Sequence, residues 1–227
     1  MDLFATVDIY CERLGPGLLA EPLNAVSNFA FIAAGLYAVR AARRAGSDLW
    51  VVLLGWWVVA IGLGSLSFHT FANRLTGLAD VLPIWSFVVL YVVFTLRRFL
   101  RLRAVTTAMV AGLGIAAVIA AMRTIPPDIA RATNGSSSYL PVVVAFFILG
   151  GALAWQRHPA RAAVLGAGAV FLVSLTFRTL DAAVCAGFPA GVHFLWHLCN
   201  AVMLAILLLA AVHHGQPEPG GNQRGKA

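Results

Sequence analysis

Seven apolar runs, each about long enough to cross a bilayer, leave this chain few ways to fold. They lie roughly at 23–42, 49–69, 79–98, 104–122, 139–155, 161–178 and 192–213. A helix needs about 20 apolar residues to span the hydrocarbon core, so seven such helices use most of the 227 residues. What remains suffices for short loops and two tails, not for an additional soluble domain. Only 11% of residues are charged and 60% are hydrophobic, too little polar surface for a water-soluble globule. The same figures exclude disorder, collagen and a disulfide-dense secreted scaffold. The expected fold is an all-α membrane protein of seven transmembrane helices over 23–213. A segment at 1–22 precedes it, and a Gly-, Pro- and charge-rich tail at 214–227 is expected to be disordered.

The net charge of +7 would suit a nucleic-acid partner, but its placement does not. Fifteen of the sixteen basic residues are Arg, most of them standing singly or in twos between the apolar runs. The densest group, Arg97, Arg98, Arg101 and Arg103, directly follows one run. That is an orientation signal, and no nucleic-acid partner is expected. With the N-terminus outside, eleven basic residues fall on the inner side and five on the outer, which favours N-out, C-in. The first ten residues lack a basic stretch and contain Asp2 and Asp8, so no signal peptide is expected. An Arg-rich, almost Lys-free chain with short loops is read as a bacterial inner-membrane protein. No internal repeat is evident, which weakens a transporter built from inverted halves.

This topology brings the unusual polar residues to one end. His69 ends the second run, Asp80 starts the third, Asp181 follows the sixth, and His193 and His197 open the seventh, while Asp8, Glu12 and Glu21 precede the first. Ionisable groups at such positions are costly and tend to be functional. His193 and His197 are four residues apart, hence on one helix face within reach of one metal ion. The alternative is a hydrated interfacial pair. Ser65 and His69 share the same spacing. Ser65 either bonds back to a helix carbonyl or belongs to a site with His69, although no nucleophile elbow is present. Three His from two helices suit a catalytic zinc with an open fourth position. Asp80, eleven residues after His69, is either a proton carrier beside that metal or a cap on the third helix.

Four blocks carry a resemblance to a known family. They are Tyr10-Cys11-Glu12 with Ala20-Glu21-Pro22-Leu23-Asn24 and Ser27-Asn28; Gly64-Ser65 with Phe68-His69; Asp80 with Leu82-Pro83; and Arg178-x-x-Asp181-x-x-x-Cys185 with His193-x-x-x-Trp196-His197. In this order and spacing the chain resembles the alkaline ceramidases, within the seven-helix membrane hydrolase superfamily that also includes adiponectin-type receptors. The resemblance implies that His69, His193 and His197 bind zinc, with Ser65 and Asp80 beside the metal and its water. It also implies a calcium site in the first loop, with Glu12 and Glu21 matching its two glutamates and Asp8 adjacent. Ile9 and Leu14 stand where an Asp and an Asn are usual, and Tyr10 where a Trp is usual. The alternative for these acids is an acidic rim that caps the first helix. Cys11 and Cys185 match family cysteines and would form a disulfide on the outer side. Arg178 and Asp181 are expected to pair and support the site, and Trp196 to stand in the pocket wall.

What the resemblance implies is a zinc-dependent amidase cleaving a ceramide-like membrane lipid to a sphingoid base and a fatty acid. A lipid esterase with the same site, or a receptor using the zinc structurally, are the rivals. A transporter would place its ionisable residues near the midplane instead.

Overall fold

The computed structural model describes residues 2–217. A short helix α1 (Pro22–Ser27) leads into α2 (Phe29–Arg44), followed by α3 (Leu49–Phe71) and α4 (Arg74–Phe94), which a π-helical turn at Thr95–Phe99 continues. Then come α5 (Ala104–Thr124), a short α6 (Pro127–Ala132), a 3-10 turn at Ser136–Tyr139, α7 (Leu140–Trp155), α8 (Arg161–Val184) and α9 (His193–His214). Among the described residues seven helical stretches are long and apolar enough to cross a membrane, one for each run. Of the expected tail at 214–227, His214 still belongs to α9, and residues 218–227 lie outside the described residues.

Two helix ends differ from expectation. Helix α4 begins at Arg74 because Asn73 and Thr76 form a capping box: the Asn73 side chain accepts from Thr76 N (2.9 Å), and Asn73 N donates to Thr76 Oγ1 (3.2 Å). That arrangement satisfies two of the free N–H groups at a helix start. Asp80 is therefore not the cap of this helix, but lies nearly two turns inside it. Helix α8 runs on to Val184, since no Gly or Pro interrupts the chain between Gly168 and Gly187. Arg178 and Asp181 are thus helical residues rather than loop residues.

Helix α9 occupies the centre: 61% of its apolar window is buried, against 6% for α5, which faces outward along nearly its whole length. Around it stand α8, α2 and α1, with α3 packed between α2 and α4. Lipid tails are as apolar as Leu, so helices in a membrane associate through close packing rather than water exclusion. The tightest approach is at Gly64, where an added Cβ would lie 2.1 Å from the backbone oxygen of Ala79. This contact brings α3 and α4 together beside Ser65 and Asp80. Gly64→Val is expected to lower the thermal unfolding temperature in detergent, overpacking typically costing about 1–3 kcal/mol. Gly112→Val, which meets nothing within 4 Å, is the control.

The ends of the bundle are pinned differently. At the start of α3, Asp48 accepts from Val51 N (3.2 Å) and pairs with Arg98, whose guanidinium lies 5.4 Å over the Trp50 ring. At the far end, the N-terminal segment hydrogen-bonds to the α3–α4 turn through Val7 N to Ala72 O (2.8 Å) and Arg74 N to Ala5 O (3.1 Å). A Cys11–Cys185 disulfide joins that segment to the end of α8, with Cα atoms 5.4 Å apart.

Candidate metal centre

The last turn of α3 and the first turns of α9 meet at this far end, and they bring His69, His193 and His197 together. All three are buried, and one ligand atom from each lies within 4.8 Å of the others. The four-residue spacing on α9 places two of these imidazoles on one face, while the αL residue Ala72 ends α3 three residues beyond His69.

The partners of these rings decide which nitrogens turn inward. Glu21 Oε2 lies 2.5 Å from His69 Nδ1, so a carboxylate accepts that proton and the buried Nε2 is left without a hydrogen-bond partner. Ser27 Oγ lies 2.7 Å from His197 Nδ1 and itself donates to Asn24 O at 2.8 Å. A hydroxyl has one proton, so His197 Nδ1 is the donor and its Nε2 carries the lone pair. His193 Nδ1 is also buried without a partner, and the Tyr10 ring stacks on His193 at 3.7 Å between centroids. Neutral imidazoles oriented by a carboxylate and a hydroxyl fit a borderline metal such as zinc. The orphaned buried His69 Nε2 and His193 Nδ1 fit the same ion.

Of the two readings of the first-loop acids, Glu12 follows the capping alternative. Asp8 is exposed. Glu12 accepts from the backbone N–H groups of Leu23 (2.7 Å) and Asn24 (2.8 Å), and so caps α1. Glu21 is held by Arg13 Nε (2.5 Å), Asn24 Nδ2 (3.0 Å) and His69. Burial pushes the Glu21 carboxyl up, but His69, Asn24 and Arg13 together hold it below its ordinary value. Calcium takes six to eight oxygens, and these three acids are not gathered around a common point. Arg13 supplies a buried cation of its own to Glu21 and donates to His69 O at 3.2 Å.

Asp181 is not paired with Arg178. Its fully buried carboxylate accepts from Val192 N (2.8 Å) and His193 N (3.0 Å) through Oδ1, and from Cys11 N (3.1 Å) through Oδ2. It therefore caps α9 and ties the disulfide segment to the helix that carries two of the imidazoles. Gly191 passes this point at φ +62°, where a Cβ would lie 2.2 Å from Asp181 Oδ1. No other residue fits there. Arg178 instead donates to the Tyr10 hydroxyl at 3.1 Å. Burial pushes that hydroxyl up to about 12 against the pull of the Arg178 charge, so the phenol stays protonated and accepts.

His193 and His197 open onto a cavity walled by α2, α3, α4, α7, α8 and α9, apolar over most of its length. Ser65, Asp80, Arg178, His193, Trp196 and His197 stand on its wall together with Phe31, Phe87, Phe146, Phe171 and Leu204. Asp80 Oδ1 is buried there without a hydrogen-bond partner. The structure thus gathers one carboxylate, one hydroxyl and three imidazoles that could hold a metal ion beside an apolar slot.

A family model described as Ceramidase matches residues 10–224. The chain belongs to the ceramidase family. No curated protein matches it. In this ceramidase-family chain, the residues that sequence reasoning left without a role are Arg13, Ser27, Tyr10 and Tyr139. Ser27 carried a signal, since it stands in one of the matching blocks, but its contact with His197 crosses 170 residues. Ser27→Ala is expected to weaken metal binding about 10–100-fold, the usual effect of removing a group that orients a ligand. Competition against a chelator of known affinity measures it.

Proposed function

We propose that this protein is a zinc-dependent hydrolase that cleaves the amide bond of a ceramide-like lipid to a sphingoid base and a fatty acid. The observation that carries the reading is the trio of imidazoles within reach of one ion, two of them, His193 and His197, on the wall of an apolar cavity that also holds Asp80 and Ser65. Membership of the ceramidase family supports the amide and the lipid. We take His69, His193 and His197 as the ligands of zinc, which when bound supplies a Lewis acid for the carbonyl and acidifies water. Asp80, its carboxylate turned into the cavity, takes the proton of the attacking water and passes it to the departing nitrogen. Ser65, one turn before His69, donates a hydrogen bond to the oxyanion that develops on the carbonyl. The apolar walls hold the alkyl chains and keep bulk water from the reacting bond. Trp196, 5% exposed, closes the wall next to the imidazoles.

The site faces the outer side in this reading, with residues 1–22 outside and 23–213 forming the catalytic domain. The arginines at 97, 98 and 101 gather at the opposite end near His214, as expected of a cytoplasmic face in a bacterial inner membrane. An outer-side position also suits the Cys11–Cys185 disulfide.

Metal analysis and hydrolysis of N-acyl sphingosine by the detergent-purified protein test the reading. Stripping with a strong chelator is expected to abolish hydrolysis, and zinc to restore it. A metal-free preparation that hydrolyses at full rate would overturn the zinc role. Release of fatty acid from the matched ester but not from the amide would make the protein an esterase.

A further inference from the structure

Arg13 is only 6% exposed, and oxygens converge on its guanidinium. Nε donates to Glu21 Oε1 at 2.5 Å and Nη2 to the His69 carbonyl at 3.2 Å. Nη1 points between the carbonyls of Gly17 (3.4 Å) and Gly15 (3.5 Å). One carboxylate and three backbone carbonyls, drawn from the first loop and the end of α3, thus meet one positive centre. A loop that offers a carboxylate among carbonyls is what a hard cation such as calcium takes. Here an arginine of the same loop supplies the charge, as a planar fork rather than a point.

The positions that would complete a calcium site turn away from it. Ile9, where an Asp is usual in the family, is 49% exposed, and Leu14, where an Asn is usual, is 85% exposed. Glu12 directs both carboxylate oxygens to the backbone N–H groups that open α1. The charge balance agrees with this arrangement. A divalent ion with three carboxylates leaves one negative charge, and so does one guanidinium with two carboxylates. A calcium ion entering beside the buried guanidinium would meet a like charge at short range.

Arg13 also reaches the metal centre by two routes. It holds the backbone carbonyl of His69 directly. It also holds Glu21, whose other oxygen, Oε2, accepts from His69 Nδ1 at 2.5 Å. Both the main chain and the ring of this histidine are therefore set by one buried cation.

We propose that Arg13 is the resident cation of the first loop. It takes the place of the calcium ion that the family resemblance implies, makes metal binding at the histidine trio independent of calcium, and acts as a positioning residue for His69 through Glu21. The positioning part rests on the zinc assignment of the hydrolase reading; the calcium part does not.

The full-length protein in detergent, stripped of metal and reloaded with zinc alone, is titrated with calcium chloride by calorimetry. No saturable binding is expected up to about 1 mM, the weak end of calcium-binding modules. Zinc affinity, measured against a chelator that ignores calcium, is expected to be the same with and without that calcium. Arg13→Gln is expected to weaken zinc binding at least about tenfold, as loss of a group behind a ligand does. Arg13→Lys, which keeps the charge without the fork, lies between the two and carries the test if the Gln variant does not fold. Asp48→Asn breaks the ion pair with Arg98 at the opposite end of the bundle and is expected to keep wild-type zinc affinity.

Stoichiometric calcium binding by the wild type, or zinc affinity that rises with calcium, overturns the proposal. So does wild-type zinc affinity in both Arg13 variants, or an equal loss of affinity in Asp48→Asn. Neither readout needs turnover, so a protein that meets these expectations but leaves N-acyl sphingosine intact overturns the hydrolase reading and keeps the resident cation. A wild type that takes up no zinc overturns the zinc assignment, and the calcium titration then decides the proposal.

Discussion

Replacing His193 with Ala is expected to leave the purified protein without stoichiometric metal and to lower lipid-amide hydrolysis by about 10³-fold or more. A bound metal contributes several kcal/mol to a developing oxyanion, and a factor of 10³ corresponds to about 4 kcal/mol of barrier. The substitution removes one of three nitrogens that lie within 4.8 Å of one another, and two imidazoles do not hold zinc in a tetrahedral site against solvent. It also removes the ring stacked on Tyr10, so thermal unfolding is measured beside activity. His193→Gln, closer in volume, separates loss of packing from loss of the ligand: it too is expected to lose metal. Full turnover by a variant shown to be metal-free would end the zinc mechanism.

Asp80→Asn is expected to lower turnover about 10²–10⁴-fold, the usual range for a positioned general base or acid, while metal content stays at the wild-type level. Shape is nearly unchanged by the swap: Asp80 Oδ1 has no hydrogen-bond partner, and the amide oxygen can still accept the side-chain hydrogen bond that Ser65 gives the carboxylate. The helix start is also indifferent to the change, because Asn73 and Thr76 provide the cap. A purely structural Asp80 predicts a fall in unfolding temperature with turnover retained, and that outcome would remove Asp80 from the mechanism. Coupled measurement of metal content distinguishes the Asp80 effect from that of His193, since only the latter loses the ion.

The two halves of the site differed in how far they could be read from the chain. His193 and His197 carry their relation in their spacing, because four residues on a helix always return to one face. His69 was placed with them by counting membrane crossings, which puts the end of the second run and the start of the seventh on one side. Asp80 reached the same layer by the same count, but its depth in α4 did not follow from it. The helix start depends on the capping box at Asn73 and Thr76, a polar pattern lying outside the apolar run. Arg178 and Asp181 were expected as a pair because they stand close together as opposite charges at the end of the sixth run. In the folded chain three backbone N–H groups from two other segments take the Asp181 carboxylate first.

By itself the sequence determined the seven crossings, their order and the end at which the polar residues collect. These depend on runs of apolar side chains and on the length of a bilayer, both of which are local quantities. Only the tertiary structure decided the partners: Glu21 on His69, Ser27 on His197, Glu12 at the start of α1 and Arg178 among three rings. A buried polar atom takes whichever donor or acceptor the packing brings within about 3 Å. For His197 that partner comes from 170 residues away. Helical periodicity carries no information across that distance, so the tautomers of the imidazoles and the aromatic surroundings of Arg178 emerge only when the helices are assembled.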